Sequence, residues 1–239
     1  MHFEGAALFD DLSIELPAGQ TSCLLGPSGV GKSSLLALLA GLNAAAEGKI
    51  EASDGAALQG RIAWMAQQDL LLPWLSVQDN VTLGDRLRRQ RPSRTRCMQL
   101  LEQVGLADRA QARPAALSGG MRQRVALART LYEDRPIILM DEPFSALDAV
   151  TRLELQDLAG DLLAGRTVLL VTHDPLEALR LGHHLLVLTG RPARISEAFA
   201  PSGAPPRAPD DPGLLALQAR LLAALRHGGS ARLREQEGA

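Results

Sequence analysis

Residues 26–33 read GPSGVGKS and fit the spacing G-x-x-x-x-G-K-[ST]. Each part of that pattern has a chemical reason. Gly26, Gly29 and Gly31 let backbone amides turn inward around phosphate oxygens, with Pro27, Ser28 and Val30 completing the loop between them. Lys32 adds a positive charge, Ser33 a hydroxyl that can ligate Mg²⁺, and Ser34 continues into a helix. The loop follows the apolar run TSCLL and precedes the leucine-rich SSLLALLAGL, the strand and helix that a phosphate cradle needs on either side. Nucleotide binding is the expected consequence.

Acids for hydrolysis follow another apolar run, IILMDE. Asp141, at the carboxyl end of a strand buried on both faces, can hold the Mg²⁺ shell, and Glu142 can polarise a water against a γ-phosphate. His173 in VTHD and Gln67 after RIAWMAQ's apolar core also stand just past strands. Loops at that edge of a parallel sheet face the ligand. His173 is therefore expected to contact the γ-phosphate, and Gln67 to reach the metal or the attacking water. His2, His183, His184 and His227 are read as structural. A second glycine-rich helix start, LSGGMRQR at 117–124, is unlike the first in carrying no lysine.

The elements that must position these groups alternate in type. LSIEL (12–16), TSCLL (21–25), KIEAS (49–53) and RIAWMAQ (61–67) read as strands. From about Leu70 to Tyr132 strands give way to helical spacing, with Ser76 and Ser93 as N-caps and Gly105 as a stop. After Pro136 strand and helix alternate again through IILMD, a helix over 148–163, TVLLVTH, PLEALRL and HLLVL. The expected fold is α/β, a core over 1–67 and 133–199 with an inserted helical subdomain over 68–132. A Pro-rich linker over 200–213 is expected to be extended and exposed. Beyond it, 214–239 carry a helix whose Leu214, Leu217, Leu221 and Leu225 dock on the body.

Composition narrows the function classes. The 239 residues carry a formal net charge of −2, which argues against a general nucleic-acid binder. Aromatic residues make up only 3% against 46% hydrophobic, so the core must be aliphatic. Cys23 and Cys97 have no metal-ligand spacing and are expected to be reduced, buried thiols of a cytosolic protein. No basic-then-apolar leader is visible, and no run approaches the roughly 20 apolar residues of a membrane span. A membrane role would have to pass through a partner.

The ordered set GPSGVGKS, AQQDLLLPW, LSGGMRQRVALAR, IILMDEP, SALD and VTHD resembles the ATP-binding subunit of ABC transporters. The resemblance implies a P-loop, RecA-like ATPase core over residues 1–199 and a head-to-tail homodimer with ATP and Mg²⁺ sandwiched between subunits. In that dimer Ser118, Gly119 and Gly120 meet the γ-phosphate held by the partner's Lys32, the helix after them aiming its positive end there. Asp148 of SALD passes information across the interface. Phe3 falls where the family stacks an aromatic on adenine, with Phe9 a weaker second candidate; the alternative is that Phe3 is a frayed terminal residue. Residues 67–75, especially Pro73 and Trp74, lie where the coupling helix of a membrane permease docks, although Trp74 could instead pack the subdomain.

Two substitutions depart from the family pattern, Met121 for Gln and Ser34 for Thr, and the family has about one further strand ahead of the adenine aromatic. LLPW after Gln67 together with LSGGMRQR most resembles the nitrate, sulfonate and taurine type of importer, a group that includes carriers of thiamine-precursor pyrimidines. That implies an ATPase on the inner face of the cell membrane, permease subunits, and a periplasmic or lipoprotein substrate-binding protein. A non-transport ABC protein is the alternative, and an ATP-binding subunit without turnover a third.

Overall fold

TSCLL, IILMD and TVLLV offer no polar face, so they are stable only as strands covered on both sides. In the computed structural model, which describes the backbone of residues 2–3, 6–9, 11–43 and 48–236 and side chains for 8–9, 11–43 and 48–226, they form the centre of one sheet. Its strands are β3 (Thr21–Leu25), β4 (Ile62–Met65), β5 (Ile137–Asp141), β6 (Thr167–Val171), β7 (His184–Thr189) and β8 (Arg194–Phe199), in the order β4-β5-β6-β3-β7-β8. All neighbours are parallel except β8, which pairs antiparallel with β7. The hairpin of β1 (His2–Phe3) and β2 (Ala6–Ala7) stands apart from it.

Alternation along each strand supplies both cores. Leu24, Leu139, Leu169 and Val171 pack with α1 (Lys32–Leu39) and with Phe9, Leu12, Ile14 and Leu16. Cys23, Leu25, Ile138, Met140, Val168 and Leu170 pack on the other face. There they meet α5 (Gly119–Tyr132), α6 (Ala149–Leu163), α7 (Pro175–Leu181) and α8 (Pro212–Gln236). Both cysteines are buried and free.

Between β4 and β5 the described chain is helical: α2 (Val77–Val81), α3 (Leu83–Leu87), α4 (Arg94–Gln103) and α5 surround their own apolar cluster. Ser76 and Ser93 accept from Asp79 N and Arg96 N, as capping requires. Gly105 sits at φ 70° just past α4. α5 contributes buried residues to both clusters, and Leu100 of α4 with Leu158 and Leu162 of α6 also pack against both. Val125, Ala128 and Tyr132 of α5 face the helical cluster, while Ala126, Leu127 and Leu131 face the sheet. A displacement of the helical part is therefore felt in the core through α5 and the residues packed beside it.

Two expectations are corrected and a third is refined. LSIEL alternates in burial but joins no ladder; Leu12, Ile14 and Leu16 pack without a partner strand. KIEAS is mostly exposed, Ile50 at 42%, and forms no strand. The 200–213 segment is mostly exposed, as expected, but it is anchored at Pro201 and Arg207. Arg207 is 5% exposed and donates to the carbonyls of Leu179, Gly182, Pro201, Ser202 and Gly203, clamping the segment to the end of α7. Beyond it Leu214 and Leu221 are buried in the main core, with Leu217 and Leu225 packed against it, so α8 docks as its leucine spacing predicts. Among the described residues no helix is long and apolar enough to cross a membrane.

Candidate functional site

Four adjacent parallel strands end at the same edge of the sheet, and the groups expected to handle phosphate follow those ends. Gly26 to Lys32 follow β3, Asp141 closes β5 with Glu142 next, His173 stands two residues past β6, and Gln67 two past β4.

The loop's glycines have stereochemical work. Gly29 and Gly31 take φ of 73° and 112°, the left-handed region that a Cβ disfavours. A Cβ on Gly26 would stand 2.4 Å from Leu188 O of β7. The loop thus lies against the neighbouring strand. α1 begins with neither a side-chain cap nor an acid in its first turn, so its first amides and positive dipole end are unclaimed by any side chain. Lys32 is 6% exposed, and its Nζ donates to Gly26 O at 2.8 Å and Pro27 O at 3.1 Å. Burial pushes its pKa down, while the Glu142 and Asp141 carboxylates pull it back up. A cation held on loop carbonyls beside two acids can be transferred to an entering phosphate oxygen.

Asp141 is pushed up by burial, and the Ser33 hydroxyl, hydrogen-bonded to it, opposes that rise. One hydroxyl and one carboxylate suit Mg²⁺, which keeps waters and phosphate oxygens for its other positions. The residues present fit the ion.

Glu142 holds φ at 46°, a strain on the order of 1–3 kcal/mol for a non-glycine residue. Its own N–H donates to Val171 O of β6 at 2.8 Å, which fixes it there. Gln67 Nε2 donates to Glu142 Oε2 at 3.3 Å, and His173 Nδ1 lies 3.0 Å from the same oxygen. Oε1 takes no hydrogen bond among the described residues and is open to a water. Ser145, which the sequence reading passed over, also touches this group. Its Oγ lies 3.4 Å from Gln67 Nε2 and donates to Glu142 O at 3.0 Å.

The Gln67 segment is tethered to α5. Gln123 Nε2 donates to Gln67 O at 3.1 Å, Arg122 Nε to Asp69 Oδ2 at 2.9 Å, and Arg129 to the carbonyls of Asp69 and Leu70. Sequence reasoning missed these anchors. The available signal was Arg122 and Arg129 at i, i+7, which places them on one helical face. Next to this segment Leu70 and Trp74 are 58% and 67% exposed, so Trp74 is not a packing residue of the helical cluster.

Ser118 and Asp148 are exposed N-caps. Ser118 Oγ accepts from Met121 N at 3.2 Å and Asp148 Oδ1 from Thr151 N at 3.0 Å. Among the described residues no hydrogen bond or ion pair joins Ser118, Gly119, Gly120 or Asp148 to Lys32, Glu142 or His173 of the same protomer. Met121 keeps a backbone role at the cap, which its side chain does not enter. Phe9 packs its ring under Gly31, where a Cβ would come within 3.2 Å of it, so this aromatic braces the loop. The Phe3 backbone pairs with Ala6; its side chain lies outside the described residues, as do those of His2 and His227.

The ABC transporter family profile matches residues 9–145. An aliphatic sulfonates import ATP-binding protein, SsuB, of Delftia acidovorans is 46% identical over 225 residues, covering 93% of this chain and 90% of that one. A second SsuB, from Pseudomonas syringae pv. tomato, is 44% identical with 93% and 94% coverage. An ABC transporter ATP-binding protein of Haemophilus influenzae is 45% identical with 92% and 93% coverage. Among solved structures, the dimeric post-hydrolysis state of the ATP-binding cassette MJ0796 bound to ADP and Pi superposes with a TM-score of 0.71 at 30% identity, over 85% of this chain and 94% of that one. CbiO1 of Clostridium perfringens, at 22% identity, shares the fold with a TM-score of 0.72, over 81% of this chain and 82% of that one.

Proposed function

Because this chain belongs to the ABC transporter family, as an ATP-hydrolysing subunit of an importer, we propose that it powers uptake of aliphatic sulfonates through separate membrane permease subunits. The cargo assignment rests on the sulfonate-import relatives, since an ATPase of this kind does not touch its cargo.

The observation that carries the hydrolytic reading is the convergence of Gln67 and His173 on one oxygen of Glu142. The Gln67 amide donates to that oxygen and the His173 ring stands beside it, which orients the carboxylate and leaves Oε1 to accept a proton from an attacking water. Lys32 and the first amides of α1 bind and orient the phosphates. Ser33 and Asp141 would hold Mg²⁺, which would supply neutralisation of phosphate charge. Ser118, Gly119 and Gly120, together with Asp148, contribute to the site of a second copy. Their exposure and their separation from the acids of their own protomer support a head-to-tail homodimer with two shared ATP sites.

The permease is received at Leu70, Pro73 and Trp74, an exposed apolar surface. Arg122, Gln123 and Arg129 tie that segment to α5, which begins at Gly119 behind its N-cap Ser118, the ATP-sensing pair. A shift at the docking surface moves Gln67 and the sensing loop together, so ATP-driven closure and permease motion are mechanically one event. The protein sits on the inner face of the membrane through this contact, with a substrate-binding protein delivering cargo from outside. Residues 1–67 and 133–199 act as the ATPase core, and 68–132 as the lever.

The test is growth of the host with an aliphatic sulfonate as sole sulfur source. Deletion should abolish growth, the unsubstituted chain should restore it, and Glu142→Gln should not. Unimpaired growth of the deletion strain on sulfonates would overturn the cargo assignment.

A further inference from the structure

Arg152, in the first turn of α6, lies between two loops that the reaction uses. Its guanidinium donates to Leu147 O at 2.8 Å, immediately before Asp148, and stands 3.6 Å from Asp174 Oδ2, immediately after His173. Its Nε is buried without a partner. Asp174 divides its carboxylate: Oδ1 caps α7 by accepting from Leu176 N and Glu177 N, and Oδ2 faces Arg152.

The neighbouring residue connects to the sensing loop. A Cβ on Gly120 would stand 2.5 Å from Thr151 Cγ2, so that glycine exists to let the loop close onto Thr151. The Thr151 amide is in turn held by Asp148 at 3.0 Å. Within one protomer a continuous contact path therefore runs from Gly120 through Thr151 and Asp148 into the first turn of α6. It continues through Arg152 to Asp174 and His173, and from His173 to Glu142.

We propose that Arg152 is a positioning residue that transmits the placement of Ser118–Gly120 to His173 of the same protomer. The inference rests on the shared-site reading above: ATP held by the partner orders the sensing loop, and Arg152 converts that order into a catalytic histidine aligned on Glu142. Each site then turns over well only when the other is filled. A bridging guanidinium suits this role because it reaches a carbonyl and a carboxylate at once, which a neutral side chain cannot.

Spatial continuity alone does not establish coupling, and a double-mutant cycle measures it. Arg152→Met keeps the aliphatic stem and removes the bridge. Asp174→Asn removes the charge while an amide oxygen still caps α7. With purified full-length chain and Mg-ATP, each single variant should lower kcat about tenfold with KM for ATP within about twofold, and the Hill coefficient for ATP should fall from near 2 toward 1. The double variant should be no slower than either single one. In the Glu142→Gln background, Arg152→Met should still dimerise on adding ATP. Independent, multiplying losses in kcat, or an unchanged Hill coefficient in Arg152→Met, would overturn the coupling role while leaving the shared site standing. Failure of Glu142→Gln itself to dimerise would overturn both.

Discussion

His173 Nδ1 and Glu142 Oε2, carried by the ends of neighbouring strands β6 and β5, lie 3.0 Å apart. On the proposed reading the histidine orients the acid that takes the water's proton. His173→Ala should reduce ATP turnover at least about 100-fold, the scale on which a positioned acid–base group contributes. ATP binding, read by a fluorescent nucleotide, should change little. A parallel loss of binding would show that His173 holds the nucleotide instead.

Lys32 combines a functional need with a structural liability. Lys32→Ala should weaken ATP binding by roughly 30-fold or more, since a charge-assisted hydrogen bond is worth about 1.5–3 kcal/mol. The nucleotide-free protein should melt close to the unsubstituted chain, because relief of a buried cation with a depressed pKa is offset by the donor lost to Gly26 O and Pro27 O. Calorimetric titration and thermal unfolding measure the two effects separately.

Arg207 is a structural clamp. Its guanidinium serves five carbonyls at the end of α7 and along the 201–203 segment. Arg207→Ala should destabilise the fold by about 3 kcal/mol or more, because buried carbonyls lose their donors. Arg207→Lys should recover only a minor part, since one ammonium cannot reach all five. Chemical denaturation of both variants gives the comparison.

Glu177 gives a pH signature. It is 3% exposed, and burial raises its pKa from 4.5 to about 7. Gln156 and Thr172 hydrogen-bond it, Asp174 repels its charge, Arg152 attracts it, and Oε1 has no partner. Between pH 4.5 and 7 the folded protein keeps a proton that the unfolded chain has released. Stability therefore falls as pH rises through that window, by about 3 kcal/mol before levelling off. Glu177→Gln should flatten the pH dependence of melting between pH 5 and 8, with its largest gain at the alkaline end. Parallel melting profiles for the two proteins would contradict the assignment.

Much of the site was legible because its chemistry is local in sequence. Gly26–Ser33 specify a loop, and Asp141, Glu142 and His173 each follow an apolar run that can only be a buried strand. The contacts that align those groups are not local. Gln67 and Glu142 meet across 75 residues, and Ser145 joins them only because β4 and β5 are neighbours. LSIEL and KIEAS misled because alternation alone reports a half-buried extended segment, whereas a strand also needs an edge to pair with. The 200–213 segment is exposed over most of its length, as its proline content indicates, but composition did not reveal the arginine whose five acceptors anchor it.

The most direct test of the shared ATP site is light scattering of Glu142→Gln with and without ATP, beside the same variant carrying Ser118→Arg. The shared-site mechanism predicts a dimer that forms only with ATP in Glu142→Gln and is lost when Ser118→Arg is added, while each protomer still binds nucleotide through Lys32. A Glu142→Gln chain that binds ATP and remains monomeric, or a dimer indifferent to Ser118→Arg, would contradict it.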